Sequence, residues 1–193
     1  VLGLYDLMER LTSAFPDILF EGCCGGGGRF DAGILYYCPQ IWCSDDTDAF
    51  ERTQIQYGTS FFYPISSMGS HVSAVPNHQT GRITSIKARA VTAMSGSFGY
   101  ELDLNKLTQE EKNEVKFQIG LFKEYGPLIH NGKYYRLSNP FRDNYAVWQY
   151  VSQDQKKVLI QGLIFRTEPN MLRYPIHLRG LDPDKKYRSE KTA

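Results

Sequence analysis

The chain has 193 residues, with 22 Lys and Arg against 21 Asp and Glu, a formal charge of +1, and 41% hydrophobic residues. That mix supplies enough apolar surface for a core and excludes a disordered chain. It gives no electrostatic case for a nucleic-acid partner, and no apolar run reaches the ~18 residues that a membrane-spanning helix needs. The length suits one domain, or one and part of another. The chain starts at Val1 with no basic stretch before an apolar segment, which reads as a removed leader or a piece of a longer polypeptide.

Leu4, Leu7, Met8, Leu11 and Phe15 recur at helical spacing, so residues 3–14 are predicted as an amphipathic helix closed by Pro16. Residues 18–20, Ile-Leu-Phe, read as a short buried strand, followed by Glu21 and a glycine tract. Pro39 separates residues 34–37 from residues 40–43, and the second piece reads as another strand. Asp45-Asp46-Thr47-Asp48 then opens a helix through Gln56, with acids in the first turn as the helix dipole prefers. Residues 58–84 show little periodicity and read as a long ordered loop of the functional kind. Residues 85–98 are predicted helical, with Ile86, Ala90, Ala93 and Met94 on one side.

Thr108-Gln109-Glu110-Glu111 is a capping box. The helix behind it is expected to bury Val115, Ile119 and Phe122 and to stop at Gly126-Pro127. Beyond about residue 130 the pattern turns to strands, at 134–137, 145–151 and 158–165, with 175–178 as a further candidate and a turn at 181–184. The expected fold class is therefore α/β followed by antiparallel β.

Three stretches carry chemistry. The first is Glu21-Gly22-Cys23-Cys24-Gly25-Gly26-Gly27-Gly28-Arg29-Phe30-Asp31, whose glycines let backbone amides approach a ligand closely. It lacks the Gly-Lys-Ser/Thr of a phosphate loop and the spacing of a dinucleotide fingerprint. The second is Trp42-Cys43-Ser44-Asp45-Asp46-Thr47-Asp48, with Arg52 one turn on. It admits a capped helix N-terminus, a calcium loop whose full ligand pattern is missing, or a catalytic acid/base. In the last reading Trp42 supplies an apolar wall or a sugar platform, and Arg52 holds a neighbouring acid ionised. The third is His71 with Asn77-His78-Gln79, which reads as loop packing, with metal binding as the weaker alternative. Cys23, Cys24, Cys38 and Cys43 do not have zinc spacing and read as buried or cleft-lining thiols of a reducing cytoplasm. No serine sits in a nucleophile elbow.

The runs E-G-C-C-G-G-G-G-R-F-D, Y-Y-C-P-Q-I-W-C-S-D-D-T-D-A-F-E-R and H-V-S-A-V-P-N-H-Q-T-G-R resemble the bacterial and fungal α-galactosidases of glycoside hydrolase family 36. S-G-S-F-G-Y-E-L-D-L, Y-Y-R-L-S-N-P-F and L-R-G-L-D-P-D-K-K-Y extend the likeness over essentially the whole chain. The resemblance implies that residues 1–128 form the C-terminal part of a (β/α)8 TIM barrel and residues 129–193 the start of an antiparallel β-sandwich domain. It implies retaining hydrolysis of terminal α-linked galactose, as in melibiose and raffinose, without metal or organic cofactor.

Asp45 takes the family's acid/base position, and Asp48 is the second candidate, orienting or pairing with Arg52. Cys23, Gly25 and Gly26 match a segment that contacts galactose, with Cys24 where relatives often carry Ser or Ala; Trp42, Asp48 and Arg52 complete the expected substrate site. The family's K-W-D-M-N-R nucleophile motif does not occur here, so the chain alone is expected to be inactive and to associate with the rest of its polypeptide or with itself. A cytoplasmic homo-oligomer, a tetramer as is frequent in the family, is the expected assembly. A non-catalytic sugar-binding or structural module, or a related glycosidase or transglycosidase activity on the same scaffold, is the alternative.

Overall fold

A computed structural model describes residues 2–23, 25, 30–170 and 173–191. Its first part alternates helix and strand: α1 (Leu2–Ala14), β1 (Glu21–Gly22), α2 (Ile34–Tyr37), β2 (Gln40–Ile41), α3 (Ala49–Thr59), β3 (Gly69–Ser73), α4 (Ile86–Ala93) and β4 (Ser97–Glu101). β1 runs parallel to β2, with Gly22 opposite Ile41, and β3 runs parallel to β4, with His71 opposite Gly99. A parallel bridge between Ile41 and Met68 joins the two pairs. All four strands thus point the same way, and the loops that follow them leave from one edge.

The strands are where the sequence reading needs most correction. Residues 18–20 are not a buried strand: Ile18 is 55% and Leu19 86% exposed, and pairing begins only at Glu21. Among the described residues β1 pairs on one side only, and of the three apolar residues before it only Phe20 packs against a core cluster. Residues 58–84 are not all loop, because β3 crosses them with every residue but His71 buried. Its composition hid it: Gly69 and Ser70 stand where a buried strand usually carries apolar side chains. Small residues are needed there, since a Cβ on Gly69 would come within 2.9 Å of the Trp42 ring, and Ser70 donates to Gln56 at 2.9 Å. The helix expected over 85–98 stops at Ala93, and the remainder turns into β4.

The second part is α5 (Gln109–Asn131) followed by the antiparallel meander β5 (Lys133–Arg136), β6 (Tyr145–Val151) and β7 (Val158–Ile164). The Thr108 capping box forms as expected. However, α5 does not stop at Gly126-Pro127; it passes through Pro127 to Asn131 and closes at Gly132, whose N–H donates to the Leu128 carbonyl at 2.8 Å. An internal proline costs about 3 kcal/mol, and burial of Ile129, 2% exposed, offsets it. Val115 is buried and Phe122 packs against the core as expected, whereas Ile119 is exposed and Gln118 is buried in its place, with Gly126 and Ile129 completing the buried face. No strand forms at 175–178.

One core unites both parts: Met68 and Val72 from the β3 region, Ala90, Ala93 and Met94 from the α4 region, Ile129 from α5, and Ala146, Trp148 and Tyr150 from β6. A smaller cluster of Ile34, Cys38 and Ile41 lies under α1 and α2.

Candidate active site

Parallel pairing puts the loop after β1, which starts with Cys23, beside the loop after β2, which carries Asp45. The Trp42 N–H donates to the Gly22 carbonyl at 2.8 Å, so the two loops diverge from adjoining backbone. Cys23 is exposed. Gly25 has φ +57°, a conformation that L side chains rarely adopt, and a Cβ there would meet nothing within 4 Å. Gly26 lies outside the described residues, as does Cys24.

Asp45 is exposed, and its carboxylate has no hydrogen-bond partner among the described residues. Its neighbours are held firmly. The Asp46 N–H donates to Ser44 Oγ at 3.1 Å, and Asp46 Oδ1 accepts the Asp48 N–H at 2.9 Å. Asp48 caps α3: Oδ1 accepts the N–H groups of Phe50 at 2.8 Å and Glu51 at 3.2 Å, the geometry that satisfies orphan helix donors. The same oxygen accepts from Arg82 Nη1, and Oδ2 accepts from the Thr80 hydroxyl at 2.7 Å. Burial alone would raise the Asp48 pKa; the Thr80 hydroxyl, the two amides and the Arg82 guanidinium outweigh it and hold the carboxyl below its ordinary value.

Two expectations change here. Asp48 does not pair with Arg52, and it is 2% exposed with both carboxylate oxygens occupied within the chain. Its ion-pair partner is Arg82, 34 positions along the chain, which no local spacing could reveal. Arg52 is likewise 2% exposed. It donates to the Ser44 carbonyl at 3.1 Å, the Gly69 carbonyl and Gln56 Oε1, and its guanidinium lies 4.6 Å over the Trp42 ring. Burial pushes the Arg52 pKa down, against the pull of Cys43, Asp46 and Glu101. Arg52 thus braces the Asp45 loop from behind. Trp42 is 9% exposed and stacks on His71 at 4.7 Å between centroids, so it backs the loop and offers little open face to a sugar ring.

The loop after β3 yields what the sequence reading missed. Of Asn77-His78-Gln79 the histidine is exposed, while the two amides make the bonds that hold the loop. Asn77 is 4% exposed, and its Oδ1 accepts the N–H groups of Gln79 and Thr80 at 2.9 and 3.0 Å. Its Nδ2 donates to Thr47 Oγ1 at 3.0 Å, and Gln79 Oε1 accepts the Thr47 N–H at 3.1 Å. An Asn that folds the chain onto itself ahead of Gly81, at φ +70°, is an Asx turn, and Asn-x-x-x-Gly was the legible signal. His71 lies 3.7 Å from Glu101 across the β3–β4 pair and stacks on Trp42, which accounts for it as a packed side chain. Among the described residues no group of three His, Cys, Asp or Glu could hold a metal ion, and no helix is long and apolar enough to cross a membrane.

The Melibiase family model matches residues 1–132, and the model of the glycosyl hydrolase family 36 C-terminal domain matches residues 145–193. The bifunctional α-galactosidase/sucrose kinase AgaSK of Mediterraneibacter gnavus is 58% identical over 193 residues, which are 100% of this chain and 21% of that protein. The α-galactosidase AgaA of Geobacillus stearothermophilus is 53% identical over 190 residues, 98% of this chain and 26% of that protein. Among solved structures, the galactosidase domain of AgaSK superposes with a TM-score of 0.93 at 60% identity, over 95% of this chain and 26% of that one. A variant of AgaA in complex with raffinose superposes with a TM-score of 0.91 at 54% identity, over 94% and 25%. The chain spans about a quarter of the length of these relatives. Family models over both parts, and identity above one half from end to end, place the chain in glycoside hydrolase family 36, the α-galactosidases of the melibiase type.

Proposed function

We propose that the chain is the acid/base-bearing part of a retaining α-galactosidase. Residues 1–128 are read as the last four strand–helix units of a (β/α)8 barrel, and residues 129–193 as the start of the C-terminal β domain. Four successive parallel strands support that reading, with the candidate loops all at their C-terminal ends, where barrel enzymes keep their chemistry. The observation that carries the assignment is the exposed, unpartnered Asp45 carboxylate between two anchored neighbours.

In this mechanism a protonated Asp45 donates to the glycosidic oxygen while a nucleophilic carboxylate attacks the anomeric carbon. Asp45 then takes a proton from the water that hydrolyses the galactosyl-enzyme. A retaining site sets its two carboxyl groups about 5–5.5 Å apart, and a like charge that close is what keeps the acid protonated. The nucleophile belongs to a family motif outside these 193 residues, so the chain by itself lacks half of the catalytic pair. Cys23 and Gly25 line the galactose side, and the resemblance assigns Gly26 to the same segment. The substrates are oligosaccharides ending in α-linked galactose, in keeping with the relatives bound to raffinose and stachyose. The chemistry calls for no metal or cofactor. An exposed thiol at Cys23 suits a reducing compartment such as the cytoplasm, and assembly with the rest of the polypeptide as a tetramer would cover the open apolar surface of α1.

Substitution of Asp45 by Asn in the complete enzyme tests the assignment. The kcat/KM for raffinose is expected to fall by about 100-fold or more, with a much smaller loss on a dinitrophenyl α-galactoside, whose leaving group needs no proton. Near wild-type turnover of raffinose would remove Asp45 from the role. The 193-residue chain alone is expected to hydrolyse neither substrate.

A further inference from the structure

The loop that carries Asp45 is held at two points, and the holding groups come from elsewhere in the chain. On the near side, Arg52 Nη1 donates to the Ser44 carbonyl at 3.1 Å. On the far side every polar atom of Thr47 is engaged: its N–H donates to Gln79 at 3.1 Å, its hydroxyl oxygen accepts from Asn77 at 3.0 Å, and its carbonyl accepts from Ser73 at 2.8 Å. Ser73 is fixed in turn, since its carbonyl accepts from the buried Arg89 at 2.7 Å. One residue further, Asp48 is gripped by Thr80 and by Arg82, and Arg82 also reaches Glu51 at 3.3 Å and lies 5.1 Å over the Phe50 ring. Between these anchors only the side chains of Asp45 and Asp46 remain to be placed, and Asp46 is tied to the Asp48 N–H.

Asp45 therefore owes its direction to a turn that never touches it. Loops at barrel mouths are ordinarily the mobile part of the fold, and a general acid displaced by about 1 Å loses much of its rate advantage. We propose that residues 77–82 form a latch on the Asp45 loop, in which Arg82 and Gln79 act as positioning residues for the acid/base. The inference rests on Asp45 holding that role. Arg82 acts through Asp48, locking the first turn of α3, and Gln79 acts through the Thr47 backbone. Both side chains reach the loop from the solvent side, with the Arg82 side chain 35% exposed, so neither is a core element.

The test uses the complete enzyme and two substrates that differ in their need for a proton. Loss of positioning weakens proton donation, so Arg82→Ala is expected to lower kcat/KM for raffinose about tenfold or more and that for a dinitrophenyl α-galactoside by less than about threefold. Arg82→Lys is expected to recover part of the difference, because a single ammonium can meet Asp48 but cannot bridge to Glu51. Gln79→Ala, which removes only the acceptor of the Thr47 N–H, is expected to show the same selective loss in smaller measure, and it carries the test if Arg82→Ala does not fold. A purely structural part would reduce both substrates by one common factor, and that result, or no change in either, overturns the proposal. Asp45→Asn assayed alongside separates the two levels. If it shows the selective loss and the latch variants do not, only the positioning role falls. If it shows none, the acid/base assignment falls and the latch with it.

Discussion

The N-terminal edge and the β3–α4 block are built from similar pieces and held very differently. α1 is a regular 13-residue helix that buries none of its residues, with Leu2 84% and Leu7 50% exposed, and β1 makes a two-residue pair with β2 and nothing else among the described residues. By contrast, β3 pairs over five residues with β4, and Met68 and Val72 are wholly buried under α4, α5 and β6. The candidate site straddles this divide. Its acid/base side stands on the block and is fixed by bonds within the chain. Its sugar side, at Cys23 and Gly25, stands on the edge, where a two-residue strand and an exposed helix supply the support. The Asp45 side is thus pre-organised by bonds within these residues, whereas the Cys23 side rests on the short β1–β2 pair and the small cluster under α1.

The widest contrast should appear in the core. Met68 is 0% exposed and touches both the parallel and the antiparallel parts, so Met68→Ala leaves a cavity that its neighbours fill only by collapsing. The expected loss is about 2–5 kcal/mol, read as a drop in the denaturant midpoint at unchanged slope. A loss below about 1 kcal/mol, within the range of a surface site, would mean that the block is no better packed than the edge.

Asp48→Asn probes the electrostatic part of the block. Asparagine is as good an N-cap as aspartate, so the change removes the charge opposite Arg82 and leaves the cap in place. The expected cost at neutral pH is about 1–3 kcal/mol, the range for a hydrogen bond to a charged group. Because the folded-state pKa of Asp48 lies below the unfolded value, its contribution is complete above the unfolded pKa of about 3.9 and fades as pH falls through the lower folded value. The variant should therefore lose less thermal stability than the wild type between about pH 5 and pH 2, and the two curves should converge at the acid end. Parallel curves would show that Arg82 does not act on a charged Asp48.

How much of the fold is legible in the sequence follows from the range of the interactions. The α5 capping box, the Asp48 end of α3 and the strands β6 and β7 rest on patterns within a few residues, and those patterns are plain in the sequence. β3 and β4 are not, because their burial depends on Trp42, Gln56 and Met68 arriving from elsewhere, and small residues there look like loop. Pro127 misleads for the same reason: the tertiary packing of Ile129 outweighs a local stop signal. At the site, the motif marks the loop that carries Asp45, yet its local spacing sets Asp48 against Arg52. Three-dimensional neighbours decide otherwise, since Arg82 is 34 residues from Asp48 and reaches it only once the Asn77 turn has formed. The histidines draw attention through their chemistry, while the flanking amides carry the geometry.

The smallest expected effect falls on the edge, and its smallness is informative. Leu7 belongs to the apolar stripe that marks residues 3–14 as amphipathic, yet it is half exposed. If the edge is as open as these values say, Leu7→Ala in this chain should change stability by less than about 0.5 kcal/mol, as surface substitutions do. Alanine's better helix propensity offsets part of the packing that the shorter side chain gives up. In the complete enzyme the same stripe should find a partner, and burying a leucine side chain stabilises by about 1.5–3 kcal/mol, so there the substitution should cost more than about 1 kcal/mol. Differential scanning calorimetry of both forms, each with and without the substitution, reads the difference. Equal small effects would leave α1 a solvent-facing helix in both. Equal large effects would show that α1 is already packed, and the sugar side of the site would then be as firmly held as the Asp45 side.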